Sequence, residues 1–296
     1  MAAALDPAIE SRIAALPCWR GPIDIAPLPG GMTNRNLLVR DGGANYVARL
    51  GEDIPVHGVL RFNELAASRA AHQAGLSPEV VYAAAGVVIL RYIDGRTLSP
   101  GEVRDPVRLD ALMDVVRRCH REVPRYLRGP VLAFNVFHVV RDYAVTLRAR
   151  ASRHVPLLDD LLRRLALLEE RVGAVEVVFG HNDLLASNLI DDGRRLWLID
   201  WDYAGFGAAL FDLGGLASNN AFPPDHERAM LDCYFGRTPD ADLCRRFAAM
   251  KCASLMREAT WSMVSEVSSK VEGVDFAAYT QENLQRLETA WAALDA

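Results

Sequence analysis

One stretch in the second half of the chain constrains the fold more than any other, because it sets polar side chains between apolar, strand-like runs. Asp183 and Asn188 lie five residues apart, and Asp200 and Asp202 follow a second apolar run. The Asp-Gly pair at 192–193 is a strong signal for a tight hairpin turn, so Asp200 returns to the side of Asn188. Three carboxylates and a carboxamide suit a core poorly, whereas they suit a site for a metal ion and phosphates.

The order Asp, Asn, Asp matches the residues that kinase-type phosphoryl transfer requires. Asp183 would accept the proton of the substrate hydroxyl, and Asn188 and Asp200 would hold Mg²⁺ on the phosphates. Taken singly, each residue would more often cap a helix or fill a turn. Together, however, they form one pattern, His-x-Asp-x4-Asn followed twelve residues later by the first Asp of Ile-Asp-x-Asp. Independent caps and turns would seldom produce this pattern.

These residues resemble a known family. The segment from His181 to Asn188 is similar to the catalytic loop of the choline/ethanolamine kinases, within the larger aminoglycoside-phosphotransferase-like group that shares the protein-kinase fold. Residues 198–205 resemble the metal-binding segment of that family, and 211–214 resemble its Phe-Asp-Ile-Gly motif. The resemblance implies that Asp183 is the catalytic base, that His181 braces the loop and that Asp212 supports it.

A glycine pair near the N-terminus predicts a phosphate-binding loop. Gly30 and Gly31 would let backbone N–H groups approach phosphate oxygens, and Thr33 and Asn34 would add polar contacts. On the residues alone, Pro-Gly-Gly is more often a plain turn. The family has a similar Gly-Gly-x-Thr-Asn loop, so the resemblance implies that this segment covers the nucleotide.

Two further segments are assigned to ATP. Arg49, on a strand over 45–50, would neutralise the α- and β-phosphates, and Glu64, on the following helix over 59–74, would hold it in place. An exposed strand Arg and a Glu that favours the helix dipole are the simpler interpretations. The segment from Arg91 to Ile93 resembles the hinge whose backbone binds adenine in this fold.

The distribution of strands and helices predicts an α+β protein-kinase-like fold with two lobes. Alternating apolar residues before residue 94 predict a mostly antiparallel sheet crossed by one helix, and no strand is expected again until Val175. Helical periodicity dominates the rest, with helices expected near 138–152, 157–172, 225–235, 239–269 and 275–294. The predicted lobes are 1–93, which binds nucleotide, and 94–296, which carries the catalytic and substrate residues.

The substrate prediction rests on the C-terminal third. The segment 257–264 resembles the Trp-x-x-Trp-Ser-x-Val segment of choline kinases, whose aromatic rings enclose a quaternary ammonium. Trp261 matches the second Trp, whereas Glu258 replaces the first, which favours a primary ammonium or another cation. Tyr203 and Tyr279 match aromatic positions near that pocket, although a helical aromatic residue is as often part of a core. Asp202 either extends the metal site or faces the cation.

Composition narrows the class of protein. A net charge of −5 argues against sequence-independent nucleic-acid binding. The five cysteines contain no Cys-x-x-Cys pair, so neither a disulfide framework nor a zinc site is expected. The N-terminus lacks a basic and apolar leader, and no uncharged run is long enough to cross a membrane. The chain is therefore predicted to be a cytoplasmic enzyme without a membrane or nucleic-acid partner.

Three functions remain open on this sequence. The first is an ATP-dependent phosphotransferase that acts on a small, cationic amino alcohol, choline or ethanolamine. The second keeps the fold and changes the substrate to an aminoglycoside, thiamine or a sugar. The third is a nucleotide-binding pseudokinase scaffold, which Asp183, Asn188 and Asp200 together disfavour because a scaffold has no chemical need for a base.

Overall fold

The N-terminal part of the protein is built on a five-stranded antiparallel sheet of order β1-β2-β3-β5-β4. The computed structural model describes residues 6–28, 34–269, 271 and 273–294. The elements of this part are α1 (Pro7–Ala14), β1 (Ile23–Leu28), β2 (Arg35–Asp41), β3 (Ala44–Leu50), α2 (Arg61–Gln73), β4 (Val80–Ala84) and β5 (Val87–Arg91). Gly42 and Gly43 form the two-residue β2–β3 turn with φ of +54° and +86°, and positive φ at both positions is what such a turn requires.

The remaining elements are mainly helical. They are β6 (Arg96–Thr97), α3 (Pro100–Val103), α4 (Leu109–Glu122), α5 (Val136–Ala149), α6 (Val155–Val172), β7 (Val177–Gly180), β8 (Leu189–Asp191), β9 (Leu196–Leu198), β10 (Gly205–Ala208), α7 (Ala209–Asn219), α8 (Pro224–Phe235), α9 (Ala241–Ser268) and α10 (Phe276–Ala292). Strands β6, β8 and β9 form one small antiparallel sheet, and β7 pairs with β10. Helix α9 lies against α5, α6, α7 and α10, so it is the central helix of this part.

The α+β kinase-like fold predicted from the sequence is confirmed. One local expectation was wrong. Strand β6 lies inside 94–175, where no strand was expected, because two residues that pair with β8 are too short to show periodicity. The pairing of β7 with β10 joins segments that are distant in sequence, and Gly205 is required there because a Cβ would lie 2.8 Å from the Leu132 carbonyl oxygen.

Buried apolar side chains form two clusters, and helix α2 belongs to the larger one. The smaller cluster fills one face of the sheet and includes Leu37, Val39 and Ile89. Alanines on α2, such as Ala67 and Ala71, pack instead into the core of the C-terminal helices. The division at residue 93/94 remains a prediction, but α2 is packed with the residues that follow that boundary.

The end of α2 is hydrogen-bonded to the segment that carries the acidic residues. The Leu198 N–H donates to the Leu76 carbonyl at 2.9 Å, and the Ser77 hydroxyl donates to the Leu198 carbonyl. The indole N–H of Trp201 donates to the same Ser77 hydroxyl at 2.7 Å. These bonds fix the start of the 199–203 segment against a rigid helix end.

Candidate active site

The loop after β7 is held in place by a buried carboxylate on α7. Asp212 accepts hydrogen bonds from the backbone N–H groups of His181 and Asn182 at 2.8 and 2.6 Å, and His120 Nε2 lies 2.9 Å from it. Burial would raise the pKa of the Asp212 carboxyl, but the bond with His120 and the charge of that ring outweigh burial and lower it. Asp212 is therefore an ionised support for the loop, as the sequence indicated for it.

His181 and Asn182 tie the same loop to the acidic segment. His181 is fully buried, and its Nε2 lies 2.9 Å from the Ile199 carbonyl, so this nitrogen carries the proton. Burial lowers the pKa of the ring, which keeps it neutral. Asn182 adopts φ of +62° and donates to the Tyr203 carbonyl at 3.0 Å. Since His181 does not line the cavity described below, its position suits bracing rather than contact with substrate.

The three residues predicted for base and metal lie together. Asn188 Nδ2 donates to the Asp183 carbonyl at 2.9 Å and lies 3.3 Å from the Asp183 carboxylate. The Ile199 N–H donates to the Asn188 carbonyl at 3.0 Å, which brings Asp200 beside it as the hairpin predicted. Burial, together with the charges of Glu258, Asp200 and Asp202, raises the pKa of Asp183 to about 8 against the opposing charge of Arg257.

A buried cluster of five charged side chains spans the cleft. Arg49 on β3 contacts Glu64 at 2.6 Å, Asp200 at 2.5 Å and Asp202 at 2.9 Å. Arg61 contacts Glu64 at 2.6 Å and Asp202 at 2.9 Å. Burial alone would lower the pKa of the Arg49 guanidinium, but the three carboxylates raise it well above its usual value, so it stays charged. The predicted Arg49–Glu64 pair is thus present, and Arg61 is a member that sequence reasoning missed.

The carboxylate of Asp202 points into this cluster. Besides the two arginines, Asn34 Nδ2 donates to it at 3.0 Å. Burial would raise the Asp202 pKa, whereas Arg49 and Arg61 lower it. Both roles suggested for Asp202, at the metal and at the substrate cation, remain predictions, and its carboxylate is engaged by two cations.

A single cavity of about 440 Å³ joins these groups. Twelve of the predicted site residues line it, namely Arg49, Glu64, Arg91, Ile93, Asp183, Asn188, Asp200, Asp202, Tyr203, Glu258, Trp261 and Tyr279. Its wall is apolar where Leu28, Val47, Leu90 and Ile190 line it. Among the predicted phosphate-loop residues, Gly30, Gly31 and Thr33 lie outside the described residues.

Two backbone N–H groups of the hinge segment 91–93 already form hydrogen bonds with neighbouring strands and loops. The Arg91 N–H donates to the Glu79 carbonyl at 2.9 Å, and the Arg91 guanidinium lies 4.9 Å from the centre of the Tyr46 ring. The Tyr92 N–H donates to the Asn45 carbonyl at 3.1 Å. Arg91 and Ile93 both line the cavity, but the N–H of Arg91 is already used, so it would not donate to adenine.

The other end of the cavity is formed by aromatic rings and a buried ion pair. The Trp261 indole N–H donates to the Tyr203 hydroxyl at 2.8 Å, and its ring lies 6.3 Å from that of Tyr279 in an edge-on arrangement. Glu258 is paired with Arg257 at 2.6 Å, and the Tyr279 hydroxyl lies 3.4 Å from its other oxygen. Sequence reasoning missed Arg257, although a charged pair within a long apolar helix was the available signal.

Carboxylate and carboxamide oxygens make up the candidate metal site. The amide nitrogen of Asn188 donates a hydrogen bond to Asp183, so its amide oxygen is available to bind a metal ion. Asp200 supplies a carboxylate to the same cavity. These are the hard oxygen donors that Mg²⁺ prefers, and phosphates complete such a set in kinases. Within the residues that the structure describes, no group of three or more His, Cys, Asp or Glu side chains is arranged to hold a metal by itself.

Comparison with known proteins places the chain in a family. LicA from Haemophilus influenzae is 25% identical over 272 residues, which cover 89% of this chain and 99% of that protein. A choline/ethanolamine kinase family protein from Mesorhizobium loti superposes with a TM-score of 0.76 at 25% identity, covering 96% of this chain and 93% of that one. A structure of LicA in complex with AMP superposes with a TM-score of 0.74 at 20% identity, covering 96% and 98% of the two chains.

A sequence model described as the phosphotransferase enzyme family matches residues 24–247. This range includes the sheet, the catalytic loop, the acidic segment and the start of α9. Among the helices of the described ranges, none is both long and apolar enough to cross a membrane. The resemblance predicted from the sequence is confirmed, and the chain belongs to the phosphotransferase enzyme family.

Proposed function

We propose that this protein transfers the γ-phosphate of ATP to the hydroxyl group of a small amino alcohol of the choline or ethanolamine type. The observation that carries this proposal is the convergence of Asp183, Asn188 and Asp200 on one cavity that also receives Arg49. A base, two oxygen ligands and a phosphate-binding cation are the parts that phosphoryl transfer to an alcohol requires. The choline/ethanolamine kinase family protein from Mesorhizobium loti supports the choice of acceptor.

The apolar end of the cavity is assigned to the nucleotide base. Val47 and Leu90 are partners on adjacent strands of the sheet, and Ile190 of β8 lines the same cavity, so these side chains make part of its wall apolar. A purine ring buries its faces well against such a wall. The LicA structure that contains AMP supports this assignment, and the phosphates of ATP would then extend toward Arg49 and Asp200.

Each residue of the candidate site would have a separate role in phosphoryl transfer. Asp183 would accept the hydroxyl proton as the oxygen bonds to the γ-phosphorus, which requires it to lie next to the acceptor rather than the nucleotide. Arg49 would bind phosphate oxygens with the donors that now contact Asp200 and Asp202. Asn188 and Asp200 would hold Mg²⁺, which supplies charge neutralisation on the phosphates when it is bound.

If Asn188 and Asp200 bind the metal ion, substitution of the two residues should weaken metal binding to different extents. Asp200→Ala should raise the Mg²⁺ concentration needed for half-maximal nucleotide binding more than Asn188→Ala does, because it removes a charged ligand rather than a neutral one. Titration of Mg²⁺ against a fluorescent ATP analogue with each variant measures this. Equal, small shifts in both variants would place the metal elsewhere in the cavity.

The acceptor class is tested by release of ADP with four alcohols. Purified protein with MgATP should release ADP on addition of ethanolamine or choline, and more slowly with thiamine or kanamycin, because the rings of Trp261, Tyr203 and Tyr279 line the cavity and suit a small cationic group. A preference for kanamycin or thiamine would move the substrate to the second class considered above. Tight ATP binding without ADP release for any alcohol would favour a scaffold.

A further inference from the structure

His57 lies at the tip of a short closed loop between β3 and α2. The Ile54 N–H donates to the Val59 carbonyl at 2.8 Å, and the Val59 N–H donates to the Ile54 carbonyl at 3.2 Å, so the loop is closed on itself. Gly58 follows His57 with φ of +70°, a conformation that glycine adopts without strain. Val59 is fully buried, and the loop packs against α9. The loop therefore presents His57 to the C-terminal helices in a defined position.

The imidazole ring of His57 is buried between α5 and α9, and each of its nitrogens has a hydroxyl partner. Nδ1 lies 3.2 Å from the Tyr143 hydroxyl on α5, and Nε2 lies 3.2 Å from the Ser265 hydroxyl on α9. Burial, and then the positive charge of Arg257, lower the pKa of His57 to about 3, so the ring is neutral. Because a hydroxyl can donate or accept, one partner accepts from the ring N–H and the other donates to the second nitrogen. These two bonds fix the plane of the ring.

The fixed ring of His57 packs against Trp261. The ring centres are 5.1 Å apart and the planes are inclined by 31°, which is a tilted stack. The rings of Phe276 and Tyr279 lie farther from Trp261, at 6.1 and 6.3 Å, and meet it edge-on. Within the described part of the chain, the wall of the cavity includes Trp261 but not His57. His57 would therefore affect an acceptor only through the indole ring.

The neutrality of the imidazole suits a place beside a ring that binds a cation. A positive charge 5.1 Å from the indole would repel an ammonium group that the indole attracts. A residue that only filled this space would need neither of the two hydroxyl partners, which instead set the angle of the ring that Trp261 packs against.

We propose that His57 is a positioning residue for the acceptor, because its ring, fixed by two hydroxyl groups, holds the indole of Trp261 in the orientation that binds the ammonium group of the amino alcohol. This inference rests on the proposed function, in which the aromatic rings of the cavity receive a cationic group. It adds to the acceptor site a residue from the segment that joins the sheet to α2.

Two substitutions separate the ring of His57 from its hydrogen bonds. His57→Phe keeps a flat ring beside Trp261 but leaves both hydroxyl groups without their partner, so it should lower the midpoint of thermal unfolding. His57→Gln keeps a polar group and removes the ring. We expect the KM for choline and ethanolamine to rise about 3- to 30-fold in His57→Gln, the usual range of one cation–π contact, and to stay within about threefold of wild type in His57→Phe.

The KM for ATP distinguishes positioning of the acceptor from a general loss of structure. It should stay within about twofold of wild type in both variants, because His57 would act on the acceptor alone. A rise in the acceptor KM in both variants, or in neither, would overturn the proposal, since the effect would then follow stability or be absent. His138→Gln, an exposed change on α5, is the matched control and should keep the wild-type values.

A double-mutant cycle tests whether His57 acts through Trp261. Trp261→Leu removes the indole, so His57→Gln should raise the acceptor KM by less than about twofold further in that background. Full additivity of the two changes would show that His57 acts by another route and would overturn the proposal. If Trp261→Leu does not fold, the comparison of His57→Phe with His57→Gln decides the proposal by itself.

Calorimetry separates this inference from the phosphotransferase function. Binding of choline and of ethanolamine to the protein with ADP and Mg²⁺ is measured without turnover. Weaker binding to His57→Gln than to wild type, with no alcohol phosphorylated, would support the inference and overturn the function. Phosphorylation with equal affinity in the two proteins would support the function and overturn the inference. If neither amino alcohol binds to wild type, the rings do not form a cation site and the inference fails.

Discussion

Asp183→Asn should lower the rate of phosphotransfer by about 10²- to 10⁴-fold, the usual contribution of a positioned general base. The change is isosteric, and the contact with Asn188 can be kept, so the protein should stay folded. Nucleotide binding should persist because the residues proposed to bind the phosphates and the metal ion are unchanged. Single-turnover formation of phosphorylated product, measured beside the dissociation constant of a fluorescent ATP analogue, gives both quantities.

A matched change at an exposed carboxylate provides the control for Asp183→Asn. Asp225 lies in the first turn of α8 and is exposed, so Asp225→Asn removes one negative charge at a distance from the cavity. Turnover of this variant should equal that of wild type. Turnover within about threefold of wild type for Asp183→Asn as well would remove Asp183 from the role of base.

Asp212→Asn should lower the free energy of unfolding by about 3 to 5 kcal/mol, because it removes a buried carboxylate that accepts two backbone N–H bonds, and each hydrogen bond to a charged group contributes about 1.5 to 3 kcal/mol. The new amide group would face the donors of His181 and Asn182, and His120 would lose its carboxylate. The loop that carries Asp183 would shift in the remaining folded protein, and a shift of 1 Å can cost about 10²-fold in rate. Denaturant unfolding and single-turnover kinetics measure the two effects.

The two effects of Asp212→Asn identify it as a positioning residue. The single-turnover rate should fall while the dissociation constant of the ATP analogue changes little, because Asp212 lies behind the loop and does not line the cavity. Asp225→Asn again serves as the control and should change unfolding by about 0.5 kcal/mol or less. A stable variant with wild-type rate would contradict the role of Asp212 as the support of the loop.

The proximity of the candidate base and metal residues could be predicted because local sequence fixes their relation. Asp183, Asn188 and Asp200 lie within eighteen positions of one another, and one hairpin determines how they meet. The sheet and the long C-terminal helices could be predicted for a similar reason, since period and turn residues are local signals. Trp261 and Tyr279 could be assigned to the cavity only through the resemblance, because the packing of the helices decides whether an aromatic side chain lines the cavity or lies in the core.

The charged residues around the site could not be predicted in the same way. Arg61 reaches Asp202 across 141 positions of sequence, and no local pattern encodes that contact. His120 lies 92 positions before Asp212 and has the sequence context of a residue that ends a helix. Arg257 differs, because a charged pair within the mostly apolar run 252–264 is a local signal of burial that sequence reasoning overlooked.

The packing of α2 determines which charged residues share a core with the acidic segment. Its alanines are part of the core of the C-terminal helices, so Glu64 and Arg61 are carried by the same rigid body as Asp200 and Asp202. Arg49 is the cation that the sheet inserts among those carboxylates. The ion pairs of Arg49 therefore tie the sheet to the acidic residues of the C-terminal part, so the guanidinium proposed to bind phosphates is also a contact that joins the two parts of the protein.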